Sequence, residues 1–256
     1  RSHRTHAMKE SVTSLTSTQR QTVSVCLASY NGERYIEEQI QSVLAQLAPS
    51  DELIVSDDAS SDQTVDIIKR MGDARIRLLQ NAKSLGIVQN FARALKAAQN
   101  EVIFLCDQDD VWLPNKVDRM LVALTKGIMV VSDCQVVDAQ LAPLHASFFA
   151  LRGSRPGIAQ NLWRNAYLGC CIAFKRTLLS RALPFPSKVP MHDMWLGLVA
   201  QTMGTVVFLP EVLSLYRRHG NAASDGARVS RSSRWQQLVW RWRLASALML
   251  RWGLGR

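Results

Sequence analysis

The sequence predicts an α/β fold: a mostly parallel sheet with helices on both faces, and a basic helical tail at the C-terminal end. Two observations predict the sheet. Short apolar runs rich in Val, Ile and Leu alternate with helical patterns of roughly 10–15 residues, which is typical of βαβ units. Polar residues follow directly where several of these runs end. Because ligands of open α/β sheets bind beyond the carboxyl ends of the strands, the pattern also predicts one binding crevice.

Each element is justified by a local pattern. The predicted strands are short apolar runs, at residues 23–30, 53–56, 76–79, 102–106 and 128–131. The predicted helices repeat apolar residues every three or four positions, over residues 33–47, 65–71, 87–98 and 117–124. Asp62 is expected to cap the second helix, and Gly86 precedes the third. The later pattern comprises an irregular region at 138–165, a helical segment after Asp193, and a pair of strands at 206–209 and 212–216.

The basic residues are concentrated at the two ends of the chain. The formal net charge of the 256 residues is +10, yet residues 217–256 hold nine Arg and one Asp, and residues 1–20 carry a net +3. The stretch between them is close to neutral, at −1. A neutral central domain argues against a nucleic-acid-binding fold, and basic ends favour an anionic surface. We therefore expect no nucleic-acid partner.

Composition divides the chain into three segments. The polar N-terminal segment is expected to be disordered, the central segment to form the folded domain, and the basic C-terminal segment to form an amphipathic helix. The length of the central segment suits one domain with a substantial core. The expected boundaries are 1–21, 22–227 (with halves 22–137 and 138–227) and 228–256.

The C-terminal tail combines arginine with tryptophan, which is the composition of a helix lying on a membrane surface. Arg241 and Arg251 lie away from an apolar helical face, which comprises Trp235, Leu238, Val239, Trp242 and Met249. Contact of this face with an anionic membrane surface is one interpretation. Packing of the helix on its own domain, or on a partner, is an equally good one.

Cysteine usage and hydropathy bear on the compartment. The five cysteines include no CxxC pair, which favours a reduced compartment. No apolar run approaches the roughly 20 residues that span a bilayer, and the first residues lack the apolar segment of a signal peptide. We expect a cytoplasmic protein, located at the cytoplasmic membrane face if the tail binds lipid.

Three carboxylates follow the strand predicted at 102–106. Asp107, Asp109 and Asp110 stand within four residues, and neighbouring anions repel one another unless something pairs them. A polar turn that caps the next helix is the simpler alternative, but three carboxylates exceed what a cap needs. Carboxylate oxygens suit Mg²⁺ or Mn²⁺, and such an ion typically binds a diphosphate. The motif therefore predicts a metal site and a nucleotide-activated substrate.

Two further clusters could complete the crevice. Asp57 and Asp58 end the second strand and could bind a nucleobase or a ribose, or simply begin a helix. Asp193 begins a helix beside an aromatic residue, which fits a general base for an acceptor hydroxyl, although a helix cap is the commoner role. Trp195 could then form an apolar platform for a sugar ring.

A basic cluster near the start of the tail is the last candidate. Arg218 and its neighbours could stabilise a diphosphate leaving group, because guanidinium groups bind phosphate strongly. The imidazole of His219 could complete a metal shell. The alternative is that the basic tail simply begins here, with an incidental histidine.

Three motifs, in this order, resemble the family 2 inverting glycosyltransferases of the GT-A fold. They read VSVCLASYNGERYI from residue 23, IVSDDASSDQT from residue 54 and DQDDVWLP from residue 107. The resemblance covers roughly residues 22–221 and is highly specific in combination. HDMWL from residue 192 and YRRHGN from residue 216 resemble the bacterial subset that includes rhamnosyltransferases of cell-surface polysaccharide synthesis.

The resemblance implies roles for the residues at the strand ends. In the first half of the domain, which would bind the nucleotide sugar, it places Ala28, Tyr30 and Asp58 at the nucleotide base, with Asp57 and Asn90 nearby.

The resemblance also implies which residues hold the metal and carry out catalysis. It places Asp109 and Asp110 at the metal and ribose end of the DXD motif, supported by Asp107, and His219 at a further metal or phosphate contact. In the second half, which would bind the acceptor, Asp193 falls where the family has its catalytic base. Many members have Glu-Asp or Asp-Asp there, so His192 is expected only to position Asp193, and Arg218 is a secondary candidate.

The expected function is metal-dependent, inverting transfer of a sugar in cell-surface polysaccharide synthesis. The donor would be dTDP- or UDP-linked, with rhamnose among the candidate sugars, the cofactor Mg²⁺ or Mn²⁺, and the acceptor a hydroxyl of a glycan or glycolipid. Three alternatives stay open: a haloacid-dehalogenase-like phosphatase with Asp107 as nucleophile, a sugar-1-phosphate nucleotidylyltransferase, and a non-catalytic nucleotide-sugar-binding scaffold. The chain lacks the later acidic pair that the first needs and the glycine-rich loop that the second needs.

Overall fold

The computed structural model describes residues 20–186, 189, 191–219 and 234–253, with side chains of the last segment described for residues 239–251. Within these residues nine strands form one sheet. The strands are β1 (Val23–Ser29), β2 (Glu52–Asp57), β3 (Ile76–Gln80), β4 (Val102–Asp107), β5 (Val111–Trp112), β6 (Met129–Val137), β7 (Pro143–His145), β8 (Ile172–Lys175) and β9 (Val206–Arg217).

The order of the strands across the sheet is β3-β2-β1-β4-β8-β6-β9-β5, with β7 paired to β6. The first four strands are parallel to one another, and so are β6 and β9. The strands β5, β7 and β8 run antiparallel to their neighbours. The predicted α/β fold with a mostly parallel sheet is therefore confirmed.

The helices of the described segments connect these strands. They are α1 (Ile36–Leu44), α2 (Thr64–Arg70), α3 (Ile87–Ala97), α4 (Lys116–Leu124), α5 (Phe148–Arg152), α6 (Ile158–Trp163), α7 (Leu179–Ala182), α8 (His192–Met203) and α9 (Arg234–Gly253). Single 3₁₀ turns at Gly169–Cys171 and Arg176–Leu178 flank β8.

The sheet carries a hydrophobic core on each face. Successive residues of a strand point to opposite faces, so Val25 of β1 belongs to the core that includes residues of α1, α2 and α4. Its neighbour Cys26 belongs to the core that includes residues of α3, α8 and α9. Burying one large apolar side chain completely stabilises the fold by about 1.5–3 kcal/mol. Apolar packing therefore holds a layer of helices on each face of the sheet. The carboxyl ends of the central strands lie at one edge of the sheet, between the two layers.

Two parts of the second half differ from the prediction. The expected pair of strands from residue 206 is one continuous strand, β9, because Pro210 and Glu211 form a bulge between Leu209 and Val212 in the pairing with β6. The bulge residues look like a turn in the sequence, but they only interrupt the register. The region expected to be irregular contains β7, α5 and α6, and the short strand β8 was not predicted.

The described part of the tail is a helix that packs on its own domain. Leu244 and Leu248 of α9 are buried against α6 and α8. Arg241 donates hydrogen bonds to backbone carbonyls of α6, and Arg251 to carbonyls in and after α7. The packing interpretation of the tail is therefore confirmed for this face of α9. The expected disorder of residues 1–21 falls almost entirely outside the described residues.

Two smaller expectations concern cysteines and membrane spans. All five cysteines are buried free thiols. Among the described helices, none combines the length and the hydropathy that crossing a bilayer requires.

Candidate active site

The parallel strands β2, β1 and β4 bring their carboxyl ends together at one edge of the sheet. Ala28 lies in register with Asp107, and Ser29 with Asp57. Polar residues that are far apart in the sequence therefore meet in one crevice, as the strand-end pattern predicts.

Asp57 and Asn90 hold the ends of β1 and β2 together. The buried carboxylate of Asp57 accepts hydrogen bonds from the Ser29 hydroxyl at 3.0 Å and from the Ser60 backbone N–H at 2.9 Å. The buried amide of Asn90 donates to the carbonyl oxygen of Ser56 at 2.7 Å and to that of Ser29 at 3.3 Å. These two residues lie near the expected nucleotide site, where they fix the backbone on which it is built.

The carboxylate of Asp58 fixes the loop before α3. It accepts four hydrogen bonds, from the Asn81 amide, the Ser84 hydroxyl and the backbone N–H groups of Leu85 and Gly86, all at 2.7–2.9 Å. These hydrogen bonds keep the pKa of Asp58 below its usual value although burial opposes them. A nucleobase contact by Asp58 would have to replace one of these bonds or share its acceptor.

Tyr30 is the most exposed of the residues expected at the nucleotide. The residue is 52% exposed, and its backbone exchanges two hydrogen bonds with the Gln108 side chain, at 2.8 and 3.1 Å. Gly32 permits this contact, because a Cβ there would lie 2.3 Å from Oε1 of Gln108. Gln108 thus ties the β1–α1 loop to the acidic motif. Sequence reasoning missed its role, although it stands between Asp107 and Asp109.

The three carboxylates of the acidic motif point to different partners. Oδ2 of Asp109 lies 2.7 Å from Nε2 of His219, which brings the end of β9 to the motif. Asp110 is fully buried, with Oδ1 accepting a hydrogen bond from the Arg217 backbone N–H at 2.9 Å. The ligand atoms of Asp107, Asp110 and Cys170 lie within 4.8 Å of one another. Asp109 and Asp110 were expected to act as a pair, but their carboxylates contact different residues.

The electrostatics of this cluster favour a bound cation. Burial, followed by the negative charges of Asp109 and Asp193, raises the pKa of Asp107 to about 8. Burial, followed by the negative charges of Asp109 and Asp107, raises the pKa of Asp110 well above its usual range. Oδ2 of Asp110 also lacks a hydrogen-bond partner among the described residues. A divalent cation stabilises such carboxylates in their ionised form, so the residues present fit the expected Mg²⁺ or Mn²⁺.

The side chain of Arg217 contacts several parts of this site. The sequence analysis named Arg218 as the candidate and missed Arg217. The side chain of Arg217 is buried and donates to the backbone carbonyls of Asp109, at 2.7 Å, and Ala139, at 2.9 Å. It also pairs with Glu38 and stacks on the Tyr35 ring, 4.5 Å from its centroid.

Arg218 follows at the end of β9. Its backbone N–H donates to the carbonyl oxygen of Val137 at 2.8 Å, and its side chain is half-buried. The signal that distinguishes the two arginines is the strand pattern: Arg217 is the last residue of β9.

Asp193 and Asp107 approach each other across Gly169. A Cβ on Gly169 would lie 3.6 Å from Oδ2 of Asp107, 3.5 Å from Nε2 of His192 and 4.0 Å from Cβ of Asp193. Burial raises the pKa of Asp193 to about 7, against backbone hydrogen bonds from Met194 and Gly169 that favour the ionised form. The structure thus places the expected base beside the acidic motif, with a pKa suited to accepting a proton near neutral pH.

His192 is buried and neutral. Its ring stacks on Phe91 with 3.9 Å between centroids, and burial lowers its pKa to about 3. The stacking fixes the start of α8 against α3, which agrees with a positioning role.

The expected sugar platform at Trp195 is wrong. Its side chain is fully buried in the core, and its indole N–H donates to the backbone carbonyl of Ala182 at 2.9 Å. Trp195 therefore anchors α8 and has no surface to offer a sugar.

A crevice of this kind, with a carboxylate–imidazole pair and a buried carboxylate at the strand ends, is typical of a group-transfer enzyme. The family model described as "Glycosyl transferase family 2" matches residues 24–182, more than half of the chain, and the chain belongs to this family. It is a glycosyltransferase of the GT-A fold. The phosphatase and nucleotidylyltransferase alternatives are thereby excluded.

One curated relative matches over most of its own length. The chain is 27% identical over 226 residues to the Escherichia coli protein "UDP-Glc:alpha-D-GlcNAc-diphosphoundecaprenol beta-1,3-glucosyltransferase WfgD", covering 84% of this chain and 85% of that one.

Two solved structures show the same fold. S. aureus TarS 1-349 in complex with UDP-GlcNAc superposes with a TM-score of 0.69 at 18% identity, covering 88% of this chain and 66% of that chain. The mannosyltransferase PcManGT from Pyrobaculum calidifontis, in complex with GDP-Man and Mn2+, superposes with a TM-score of 0.63 at 23% identity, covering 90% and 65%.

Proposed function

We propose that this glycosyltransferase moves a hexosyl residue from a UDP-linked donor to a hydroxyl of a lipid-linked glycan in cell-surface polysaccharide synthesis, with inversion and with a divalent cation. The observation that carries the proposal is the convergence of Asp109 and His219 with Asp193 at one end of the sheet. One group of residues suits a diphosphate and its cation, and the other suits an acceptor hydroxyl. Enzymes of this class need both.

The choice of UDP over dTDP rests on the relatives. The name of WfgD specifies UDP-glucose as its donor, and TarS was solved with UDP-GlcNAc. PcManGT was solved with GDP-Man, so the base is not common to all proteins of this fold. None of these three names rhamnose, and a glucosyl or N-acetylglucosaminyl donor replaces rhamnose as the first donor to test.

The proposed acceptor is a sugar hydroxyl on a polyprenyl diphosphate. The name of WfgD gives α-D-GlcNAc-diphosphoundecaprenol as its acceptor. We propose that the second half of the domain, which contains α5, α6 and Asp193, selects the acceptor. Such an acceptor places the enzyme at a membrane face.

In the proposed reaction, Asp193 accepts the proton of the acceptor hydroxyl while that oxygen attacks C1 of the donor sugar. The new C1–O bond forms on the face opposite the leaving group, the C1–O bond to the diphosphate breaks, and the nucleoside diphosphate departs with the electron pair. One displacement inverts the anomeric centre. General-base assistance of this kind contributes about 10²–10⁴ in rate.

Asp109 and His219 would hold the cation, and Asp107 and Asp110 would be the neighbouring carboxylates of the same site. When bound there, a divalent cation supplies positive charge that neutralises the departing diphosphate. Arg217 keeps Asp109 in place through the hydrogen bond to its carbonyl oxygen. Gln108 keeps Tyr30 beside the motif, where its exposed ring can stack on the nucleobase.

The test is a transfer assay with defined donors. UDP-glucose, UDP-GlcNAc, dTDP-rhamnose and GDP-mannose are each offered with a GlcNAc-diphosphate-lipid acceptor, with Mn²⁺, Mg²⁺ or EDTA. We expect one UDP-sugar to be transferred, only with metal, to a product whose anomeric configuration by NMR is opposite to that of the donor. Retention of configuration, or transfer that is unaffected by EDTA, would overturn the mechanism, and transfer from dTDP-rhamnose alone would overturn the donor.

A further inference from the structure

The outward face of α9 exposes apolar side chains on a helix that is otherwise docked. The docked face is formed by Arg241, Leu244, Leu248 and Arg251, as described above. These positions follow one another at intervals of three or four residues, so they form one side of the helix. The large side chains on the rest of the α9 surface are therefore exposed to solvent in the part of the chain that the structure describes.

Four of these side chains are large and apolar. Trp242 is 71% exposed, Met249 64% and Leu250 68%, and Trp240 is partly exposed. Trp242 and Met249 are seven residues apart, which places them on the same side of the helix. Exposed tryptophan at several adjacent positions is uncommon on a protein surface unless something binds there.

A further tryptophan from α6 extends the patch. Trp163 is 70% exposed, and the guanidinium of Arg241 lies over its ring, 4.4 Å from the centroid. The same guanidinium donates to the backbone carbonyl of Trp163 at 3.0 Å. Arg241, which directly precedes Trp242, thus ties the exposed Trp163 of α6 to α9, so the patch is built by two elements and not by the tail alone. We call Trp163, Trp242, Met249 and Leu250 the tryptophan patch.

The surroundings of the tryptophan patch are basic. From residue 139 to residue 192 the chain holds seven Lys or Arg and no Asp or Glu, and α9 adds four Arg and again no acidic residue. Of the helices in these two segments, α6 and α9 contact each other, and α6, α7 and α9 each contact α8. The acidic residues lie instead in the first half of the domain, where residues 21–138 carry a net charge of −6. The charge of the folded domain is thus strongly polarised.

From these observations we infer that the tryptophan patch and the basic residues around it dock the enzyme on an anionic phospholipid bilayer. Tryptophan prefers the boundary between headgroups and acyl chains, and arginine binds anionic headgroups. A second copy of the chain is a poorer occupant, because a two-fold interface would bring the same basic surface against itself. The inference rests on the proposed function for its purpose, since a lipid-linked acceptor is presented at such a surface.

Vesicle sedimentation tests the inference directly. The full chain is mixed with vesicles of phosphatidylcholine alone, or of phosphatidylcholine with phosphatidylglycerol, and the bound fraction is measured. We expect binding to the anionic vesicles, and loss of most of it in the double variant Trp163→Ser/Trp242→Ser. Arg243→Gln should lower the partition coefficient by about fivefold, because one basic residue near an anionic surface contributes about 1 kcal/mol.

Val122→Ser is the matched control. Val122 is 63% exposed on α4, on the opposite face of the sheet, so its replacement removes a similarly exposed, though smaller, apolar group outside the patch. Met249→Ser repeats the test within the patch if the double variant does not fold. Wild-type protein that stays in the supernatant with anionic vesicles, or patch variants that bind as Val122→Ser does, would overturn the inference.

Two further measurements distinguish membrane docking from a contact between copies of the chain, and from failure of the proposed reaction. If light scattering shows a wild-type dimer that Trp163→Ser/Trp242→Ser converts to a monomer with vesicle binding unchanged, the patch is a contact between copies and the inference is wrong. Transfer to a water-soluble, short-chain acceptor does not need the patch, so patch variants should keep it while losing transfer to acceptor embedded in vesicles. Failure of the proposed reaction would abolish both activities and leave vesicle binding intact.

Discussion

Nε2 of His219 lies 2.7 Å from Oδ2 of Asp109, although 110 residues separate them in the chain. The contact exists because β9 pairs with β5, the short strand that directly follows the acidic motif, so the residue two positions after β9 meets that motif. A carboxylate and an imidazole at this distance offer two ligand atoms to one cation. The pair therefore links the end of β9 to the acidic motif, where we propose that the donor binds.

Replacing Asp193 by Asn should abolish most of the turnover while leaving donor binding intact. The amide cannot accept the proton of the acceptor hydroxyl, and we expect kcat to fall by about 10²–10⁴. The measurement is steady-state transfer together with the Kd of the nucleotide. Near wild-type kcat in Asp193→Asn would show that another group is the base.

The stability of Asp193→Asn provides its control. Because the folded pKa of Asp193 is raised above its usual value, ionisation of the native carboxylate costs stability as the pH rises from about 4 to about 7. Asn carries no such cost. The Tm of the variant at pH 8 should therefore equal or exceed that of the wild type, which excludes unfolding as the cause of lost activity.

The pH dependence of transfer should report Asp193. With a pKa of about 7 in the folded protein, the base is largely protonated below that pH, so kcat/KM should fall about tenfold for each further pH unit. Above pH 7 the rate should level off. A profile that stays flat between about pH 5 and pH 8 would contradict the assignment, provided that donor binding is constant over the same range.

Gly32→Ala should weaken donor binding through Gln108. The new Cβ would meet Oε1 of Gln108 at 2.3 Å, and the side chain would have to leave the Tyr30 backbone. We expect a higher KM for the donor with little change in Tm, because Gln108 lies at the surface of the crevice. Gln108→Ala should have the same effect, since it removes the same two hydrogen bonds.

The double variant Gly32→Ala/Gln108→Ala separates this explanation from general damage. If both single variants act by releasing Tyr30, the double variant should be no worse than either one. Additive increases in KM would mean that Gly32 has a second role.

Arg217→Lys should impair metal binding more than Arg218→Lys does. A lysine cannot make the several directed hydrogen bonds of the Arg217 guanidinium, so carbonyl oxygens of Asp109 and Ala139 lose their donor. We expect a loss of about 1–3 kcal/mol in the free energy of unfolding and a higher Mn²⁺ requirement. Equal effects of the two substitutions on Mn²⁺ dependence would contradict a specific role for Arg217.

The sequence predicts the first half of the domain well because local patterns are strong there. Strands β1 to β4 are apolar runs bounded by polar residues, and their parallel arrangement places the strand ends together. The acidic motif and Asp193 were recognised because each directly follows such a run or begins a helix. A metal contact by His219 was one open interpretation of its imidazole, and the family resemblance favoured it, since no local pattern reports a contact over this distance.

The errors arise where the local sequence pattern does not show in which direction a side chain points or which distant residue it contacts. Residues from His192 to Ala200 of α8 are all buried, so no polar face indicates which aromatic residue points to the crevice, and Trp195 was placed there wrongly. Arg217 was missed because its partners, Glu38 and Asp109, lie far away in the sequence. The strand β9 was divided in two because Pro210 resembles a turn, whereas the sheet absorbs it as a bulge.

The most direct test of the central claim, a metal-dependent nucleotide site at Asp109 and His219, is the thermal shift of the wild type and two variants with UDP, dTDP, GDP and CDP, each with and without Mn²⁺. A ligand at a hundred times its Kd stabilises the folded state by about 2.7 kcal/mol, which is readily detected. We predict a shift with UDP that requires Mn²⁺ and is lost in Asp109→Ala and strongly reduced in His219→Ala. No shift with any nucleotide, or the same shift in Asp109→Ala, would contradict the account.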